Sequence, residues 1–78
     1  MITLKDLVAV IAKALVNHPE QVSVTETVDN HGTVYELRVA PDDMGKIIGK
    51  QGRIAKAIRT VVKSAAIREN KRVMVEIV

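Results

Sequence analysis

Apolar residues in the first stretch of the chain recur at three- and four-residue steps: Leu4, Leu7, Val8, Ile11 and Leu15. That spacing puts them on one helix face and predicts an amphipathic helix over about residues 4–17. Thr3 stands at the N-cap position, with Asp6 three residues later to complete a loose capping box. Pro19 cannot continue the helix and biases His18 toward extended backbone. The period then changes. Val22, Val24 and Val28 alternate with polar residues, and Glu26 falls in the same register. This predicts a strand over about 21–28. Asp29-Asn30-His31-Gly32 reads as a turn, with Asn30 and Gly32 tolerant of positive φ. Tyr35, Leu37 and Val39 then share one face of a second strand, about 33–40, which closes a hairpin.

Pro41-Asp42-Asp43 ends that strand and opens a short helix, about 43–48, with Asp42 or Asp43 as its cap. Gly49 ends the short helix. A longer helix follows over about 53–67. Ile54, Ile58, Val61 and Ala65 are expected as its core stripe, with Arg53, Lys56, Thr60 and Lys63 on a different arc. Val73, Val75 and Ile77 alternate with Met74, Glu76 and Val78 in a last strand, about 72–78. The order is α-β-β-α-turn-α-β, which is α+β. The hairpin makes the first strand pair antiparallel, and a crossover makes strands two and three parallel. Three helices should cover one face of this three-stranded mixed sheet. The other face, carrying Glu36, Arg38 and Glu76, should be more exposed.

Composition narrows the class. The chain has 78 residues, 47% hydrophobic and 27% charged, which suits one folded domain over 1–78 rather than a disordered segment. There is no cysteine, hence no disulfide framework or thiolate metal site, in keeping with a reducing cytoplasm. Charges interrupt the apolar runs, so no membrane span is expected, and Met1-Ile2-Thr3-Leu4-Lys5-Asp6 lacks the form of a signal peptide. With no Phe or Trp and one Tyr, the chain cannot build an aromatic platform for stacking bases. His18 and His31 have no nucleophile or ligand partner at a recognisable spacing, and Asp42 and Asp43 read as caps. No enzyme activity, cofactor or metal is expected.

The net charge of +3 conceals a strong asymmetry. Residues 46–72 hold nine Lys or Arg against one acid, Glu69, a balance of +8, while the remainder carries −5. The positive part surrounds Gly45-Lys46-Ile47-Ile48-Gly49-Lys50-Gln51-Gly52-Arg53-Ile54. Gly49 and Gly52 bracket Lys50 and Gln51 in a tight helix–loop–helix turn. Gly49 suits a helix end, and Gly52 opens the next helix, whose free N–H groups and dipole favour a phosphate. Lys46, Lys50 and Arg53 supply charge around it. Taken alone, a glycine-rich corner with no ligand has the same pattern, and a basic run is often just a solvated helix face. A nucleotide P-loop does not fit: three residues separate Gly45 from Gly49-Lys50 where four are needed, and Gln51 replaces Ser or Thr.

The Gly49-Lys50-Gln51-Gly52 turn, within Ile-Ile-Gly-Lys-Gln-Gly-Arg-Ile, resembles the GXXG signature of KH domains, which clamps the backbone of about four nucleotides. The element order resembles the type II, prokaryotic arrangement of that fold. Over essentially the whole chain, including Asp42-Asp43-Met44-Gly45 before the loop and Ala57-Ile58-Arg59-Thr60-Val61-Val62 after it, the sequence is similar to the KhpA family of small bacterial single-domain KH proteins. The resemblance implies a cytoplasmic protein that binds single-stranded RNA and acts as an RNA chaperone. It also implies a homodimer, a KhpB-type KH partner, and a link to cell elongation and envelope homeostasis. The implied RNA-binding set is Lys46, Ile48, Gly49, Lys50, Gln51, Gly52, Arg53, Ile54 and Lys56. In a KH groove, aliphatic side chains hold the bases; Ile48 and Ile54 fit that role as well as a core role, while Ile47 reads as core. Two other functions stay open: a ribosome-assembly factor, and a dimerisation module without RNA binding. For self-association, Ala55, Arg59, Val62 and Ala66 recur at steps of four, three and four, and this small-residue stripe is expected to pack on a symmetry mate with Val61 and Val62 near the centre.

Overall fold

The structure of the protein, a computed structural model, describes residues 2–78. Its elements are α1 (Leu4–Leu15), β1 (Ser23–Asp29), β2 (Gly32–Arg38), α2 (Met44–Ile48), α3 (Arg53–Arg68) and β3 (Val73–Ile77). Short 3₁₀ turns at Pro19–Gln21, Pro41–Asp43 and Lys50–Gly52 join them. Helix α1 begins with the expected capping box: the Asp6 amide donates to Thr3 Oγ1 at 3.1 Å, and the Thr3 amide donates to Asp6 Oδ2 at 3.2 Å. It stops two residues earlier than the periodicity suggests, because the chain turns out at Val16 ahead of Pro19.

The sheet has the order β1-β2-β3. β1 and β2 pair antiparallel with Glu26 opposite Tyr35, and β2 and β3 pair parallel with Tyr35 opposite Val75. In the connecting turn His31 donates its amide to Asp29 Oδ1 at 2.7 Å. Gly32 takes a φ of 134°, while Asn30, expected to tolerate positive φ, does not use it. Tyr35 and Leu37 of β2 and Val73 and Val75 of β3 are buried beneath the helices, as are Leu4, Val8 and Ala12 of α1, Ile47 of α2 and Ile58, Val62 and Ala66 of α3. α1 and α3 lie against the sheet, and α2 packs against both of them. Arg38 and Glu76 are exposed on the opposite face, with Glu36 half-buried.

Asp43 does not cap α2. Its side chain makes no cap bond there and is fully buried. It reaches across to the end of α1, where Oδ1 accepts the Asn17 amide at 3.1 Å and Oδ2 accepts the His18 amide at 2.9 Å. One carboxylate thereby satisfies two backbone donors left over beyond the helix and fastens the α1–β1 connection to the start of α2. Burial pushes the Asp43 carboxyl up, but the two amide hydrogen bonds, helped by His18 and Lys46, outweigh it and hold the group below the usual carboxylate range.

A pKa depressed by folding gives stability that is complete above the unfolded value, about 3.9, and is lost as pH falls through the folded one. Thermal melts should therefore be flat near neutrality and decline below about pH 4. Asp43→Asn keeps the shape but turns one acceptor into a donor facing an N–H. It should lower Tm at pH 7 by about 5–10 °C and flatten the acid-side decline. An unchanged melt at pH 7 would show that the two amides find other partners.

Candidate nucleic-acid interface

The turn between α2 and α3 is built almost entirely from backbone conformations that disfavour a side chain. Gly49 closes α2, donating its amide to the Gly45 carbonyl at 2.8 Å, and takes φ 75°, ψ 175°, a region essentially reserved for glycine. A Cβ at this position would also run into the Ile54 side chain, with Ile54 Cβ at 2.8 Å. Gln51 (φ 58°, ψ 26°) and Gly52 (φ 74°, ψ 14°) are both left-handed. The Gly52 amide donates back to the Gly49 carbonyl at 3.2 Å and tightens the loop. Unlike Gly49, Gly52 has nothing within 4 Å of where a Cβ would stand, so the space before α3 is open.

That open space faces the first turn of a 16-residue helix with no side-chain cap. The N–H groups of such a turn have no intrahelical acceptor, and the helix dipole adds positive potential. Lys50 and Gln51 at the tip, and Lys46, Arg53 and Lys56 around it, are exposed. Among the described residues the side-chain ion pairs are His18–Glu20 and Lys71–Glu69, so none of these four cations is neutralised by an acid. The three isoleucines divide by depth. Ile47 is fully buried, Ile54 is half-buried against the core beneath Gly49, and Ile48 is 39% exposed at the loop margin. The nine residues Lys46, Ile48, Gly49, Lys50, Gln51, Gly52, Arg53, Ile54 and Lys56 thus lie in or beside the turn, with Lys46, Ile48, Lys50, Gln51, Arg53 and Lys56 exposed and Gly49, Gly52 and Ile54 half-buried.

Helix α3 differs from the sequence reading in the phase of its buried face. Ala55, Val62 and Ala66, assigned by the spacing to a surface stripe for a second copy, are buried in the core with Ile58. They cannot form an interface without opening the fold. The small alanines let α3 lie close to the sheet, a packing advantage that a reading weighted toward large side chains overlooks. Arg59 borders this stripe: its Nε donates to the Val75 carbonyl of β3 at 3.2 Å. Val61, read both as core and near the centre of a symmetric contact, is 47% exposed.

The helix therefore has two flanks. One carries Lys56, Arg59, Thr60 and Lys63, with Arg59 bonded to β3 and Arg53 on the outer face at the helix start. The other, toward α1, carries Ile54, Ala57 and Val61, which with Leu7, Ile11 and Leu15 line an apolar groove. Neither the Asp43 tie nor this groove emerges from the sequence reading. A finer helical projection signals the groove, since Ile54, Ala57 and Val61 fall together on one side of the Ala55–Val62–Ala66 axis.

Comparison with known proteins agrees with this geometry. A family profile described as KhpA/KhpB, KH domain, matches residues 5–77. The chain is 63% identical over 75 residues to RNA-binding protein KhpA of Clostridium perfringens, covering 96% of this chain and 100% of that one. It is 51% identical over 74 residues to RNA-binding protein KhpA of Chlamydia caviae, covering 95% of each. Among solved structures, a crystal structure of a variant of Aquifex aeolicus Era bound to GDP and aluminium fluoride aligns with a TM-score of 0.65 at 20% identity. That alignment covers 95% of this chain and 29% of Era, and it speaks for the fold alone.

The two loop glycines should respond differently to alanine. Gly52→Ala meets only left-handed strain and should cost about 1–2 kcal/mol. Gly49→Ala adds a collision with Ile54 and should cost about 2–4 kcal/mol, combining backbone strain with overpacking. Urea denaturation of both variants measures the difference. Equal losses would mean that Ile54 yields freely and that the Gly49 contact does not hold the turn.

Proposed function

The chain belongs to the KhpA/KhpB KH-domain family, and on that premise we propose that it binds single-stranded RNA by clamping the sugar-phosphate backbone against the Gly49–Gly52 turn. The observation that carries this reading is the open, uncapped start of α3 behind Gly52, surrounded by Lys46, Lys50, Arg53 and Lys56, which have no acidic partner among the described residues. A phosphate placed there meets backbone N–H groups, a helix dipole and exposed cations together. Ile48 and Ile54 offer aliphatic surface for bases beside the clamp, which suits a chain without an aromatic platform. Binding of this kind is governed by backbone charge and single-strandedness, as an RNA chaperone requires, and it involves no bond-making chemistry, so the protein acts as a binder in the cytoplasm rather than as an enzyme.

Self-association accompanies the reading, on the α1–α3 groove and not on the buried stripe. Exposed Val61 and Leu15 sit on an apolar surface that a second copy would cover by two-fold symmetry. A KhpB-type KH chain is the alternative occupant. Val61→Asp repeats a charge across such an axis and should yield a folded monomer by light scattering and circular dichroism. A folded variant that remains dimeric would place the contact elsewhere.

The clamp is tested by Lys50→Asp combined with Gln51→Asp. Both side chains are exposed, so the melt should change little, while phosphate would meet two new negative charges. RNA affinity should fall by roughly tenfold or more, and wild-type affinity should fall with salt at a log–log slope of about −2 to −3, as for three or four neutralised phosphates. Unaltered binding by the double variant, or a slope near zero, would contradict backbone clamping.

A further inference from the structure

The β3-facing flank of α3 does not end with its charges. At about 100° per residue, Ile67 falls on the same side as Lys56, Thr60 and Lys63, one turn beyond Lys63. It is 75% exposed, more than any other large apolar residue among the described residues. A solvated isoleucine is ordinary when it stands alone, but this one does not. Together with Lys63, Ala66, Lys71, Arg72 and Val73 it lines a shallow depression at the corner where α3 turns into β3.

The corner is rigid. The Asn70 amide donates to the Ile67 carbonyl at 3.0 Å and the Lys71 amide to the Ala66 carbonyl at 2.9 Å, with Asn70 in the left-handed conformation at φ 58°. This is a Schellman closure, and it sets the helix end firmly against the next strand. The Arg72 carbonyl accepts the Thr33 amide at 2.9 Å, which anchors the far side of the corner to β2. Lys71 is engaged by Glu69 at 3.5 Å, whereas Lys63 and Arg72 have no acidic partner among the described residues.

We propose that this corner is a second RNA subsite, in which Ile67 carries the face of a base while Lys63 and Arg72 hold the flanking phosphates. It rests on the RNA-binding reading of the loop and extends it. The occupant is identified by continuity and charge. The flank runs without an acid from Arg53 and Lys56 at the clamp, through Arg59 and Lys63, to the corner. From Gly52 to Ile67 the helix rises about 22 Å, beyond the reach of a segment confined to the turn. A strand leaving the clamp along this flank meets cations at each turn of the helix and then an aliphatic surface suited to a base's flat face. An aliphatic contact does not discriminate among bases, so the subsite adds length dependence and not sequence preference.

The experiment is a length series. Unstructured oligoribonucleotides of about four, eight and twelve nucleotides are titrated against the wild-type protein, Ile67→Ser, and the pair Lys63→Gln with Arg72→Gln. Wild type should bind the longer oligonucleotides about tenfold more tightly than the shortest, and their salt slope should steepen by about 1.4 for two added phosphates. Ile67→Ser should lose most of the length gain with the steeper slope kept; the double glutamine variant should lose the steeper slope. Both should bind the shortest oligonucleotide as wild type does. All three substituted side chains are exposed, and circular dichroism confirms the fold. If the shortest oligonucleotide binds but length adds nothing, or if the variants keep the full gain, the corner is not a subsite while the loop reading stands. If no length binds to wild type, both readings fall. Capture of a polyglutamate peptide that is lost in the double variant, without any RNA length gain, would overturn the proposal and give the corner to an acidic protein.

Discussion

The contact between Gly49 and Ile54 is the constraint on which the turn and its surroundings depend. The isoleucine occupies the space that any side chain at position 49 would need. Two helices can meet this closely only because one of them ends in a residue without a Cβ. The consequence reaches in both directions. Ile54 packs half under the loop, and Gly52 at the N-cap, having no side chain, leaves the start of α3 uncapped. At the loop tip Lys50 and Gln51 are exposed. The candidate site is thus a product of packing: the fold removes side chains where a phosphate would come close and keeps cations at the margin.

Asp43 supports that arrangement from the other side of α2. The helix between Asp43 and Gly49 is five residues long, too short to hold itself by propensity. At one end a buried carboxylate ties it to the exit of α1, and at the other Gly49 turns into α3. Ile47 fills the core between them. Position and orientation of the loop are therefore set by tertiary contacts made by residues on either side of it. The +8 balance over residues 46–72 then gives that fixed surface its field, while every acid but Glu69 lies in the rest of the chain.

Much of this is legible in the amino-acid sequence. Element order rests on period, and the shift from steps of three and four in α1 to alternation in β1, β2 and β3 is plain. Thr3 with Asp6, and Gly49 with Gly52, are local signals whose geometry depends on near neighbours. What escaped was set by distant partners. Asp43 looks like a cap because its role depends on Asn17 and His18, far away in sequence. The buried face of α3 was misplaced because isoleucine and valine outweigh alanine in any hydrophobic sum. A sheet selects instead for the small residues that let a helix approach, so Ala55, Val62 and Ala66 turn inward and Val61 turns out. The exposure of Ile67 escaped for the same reason: its depth depends on where α3 sits on the sheet.

The central claim is that RNA lies against the backbone of the Gly49–Gly52 turn and the uncapped start of α3. Amide-detected NMR on uniformly labelled protein tests it most directly, because it reports on backbone N–H groups one at a time. Titration with a short single-stranded RNA should shift the amides of Lys50, Gln51, Gly52, Arg53 and Ile54 most strongly, with saturation at a common affinity. The β1 amides from Ser23 to Asp29 should stay in place. Shifts centred on β1 or on the outer face of the sheet, with the loop amides unmoved at saturation, would contradict the account.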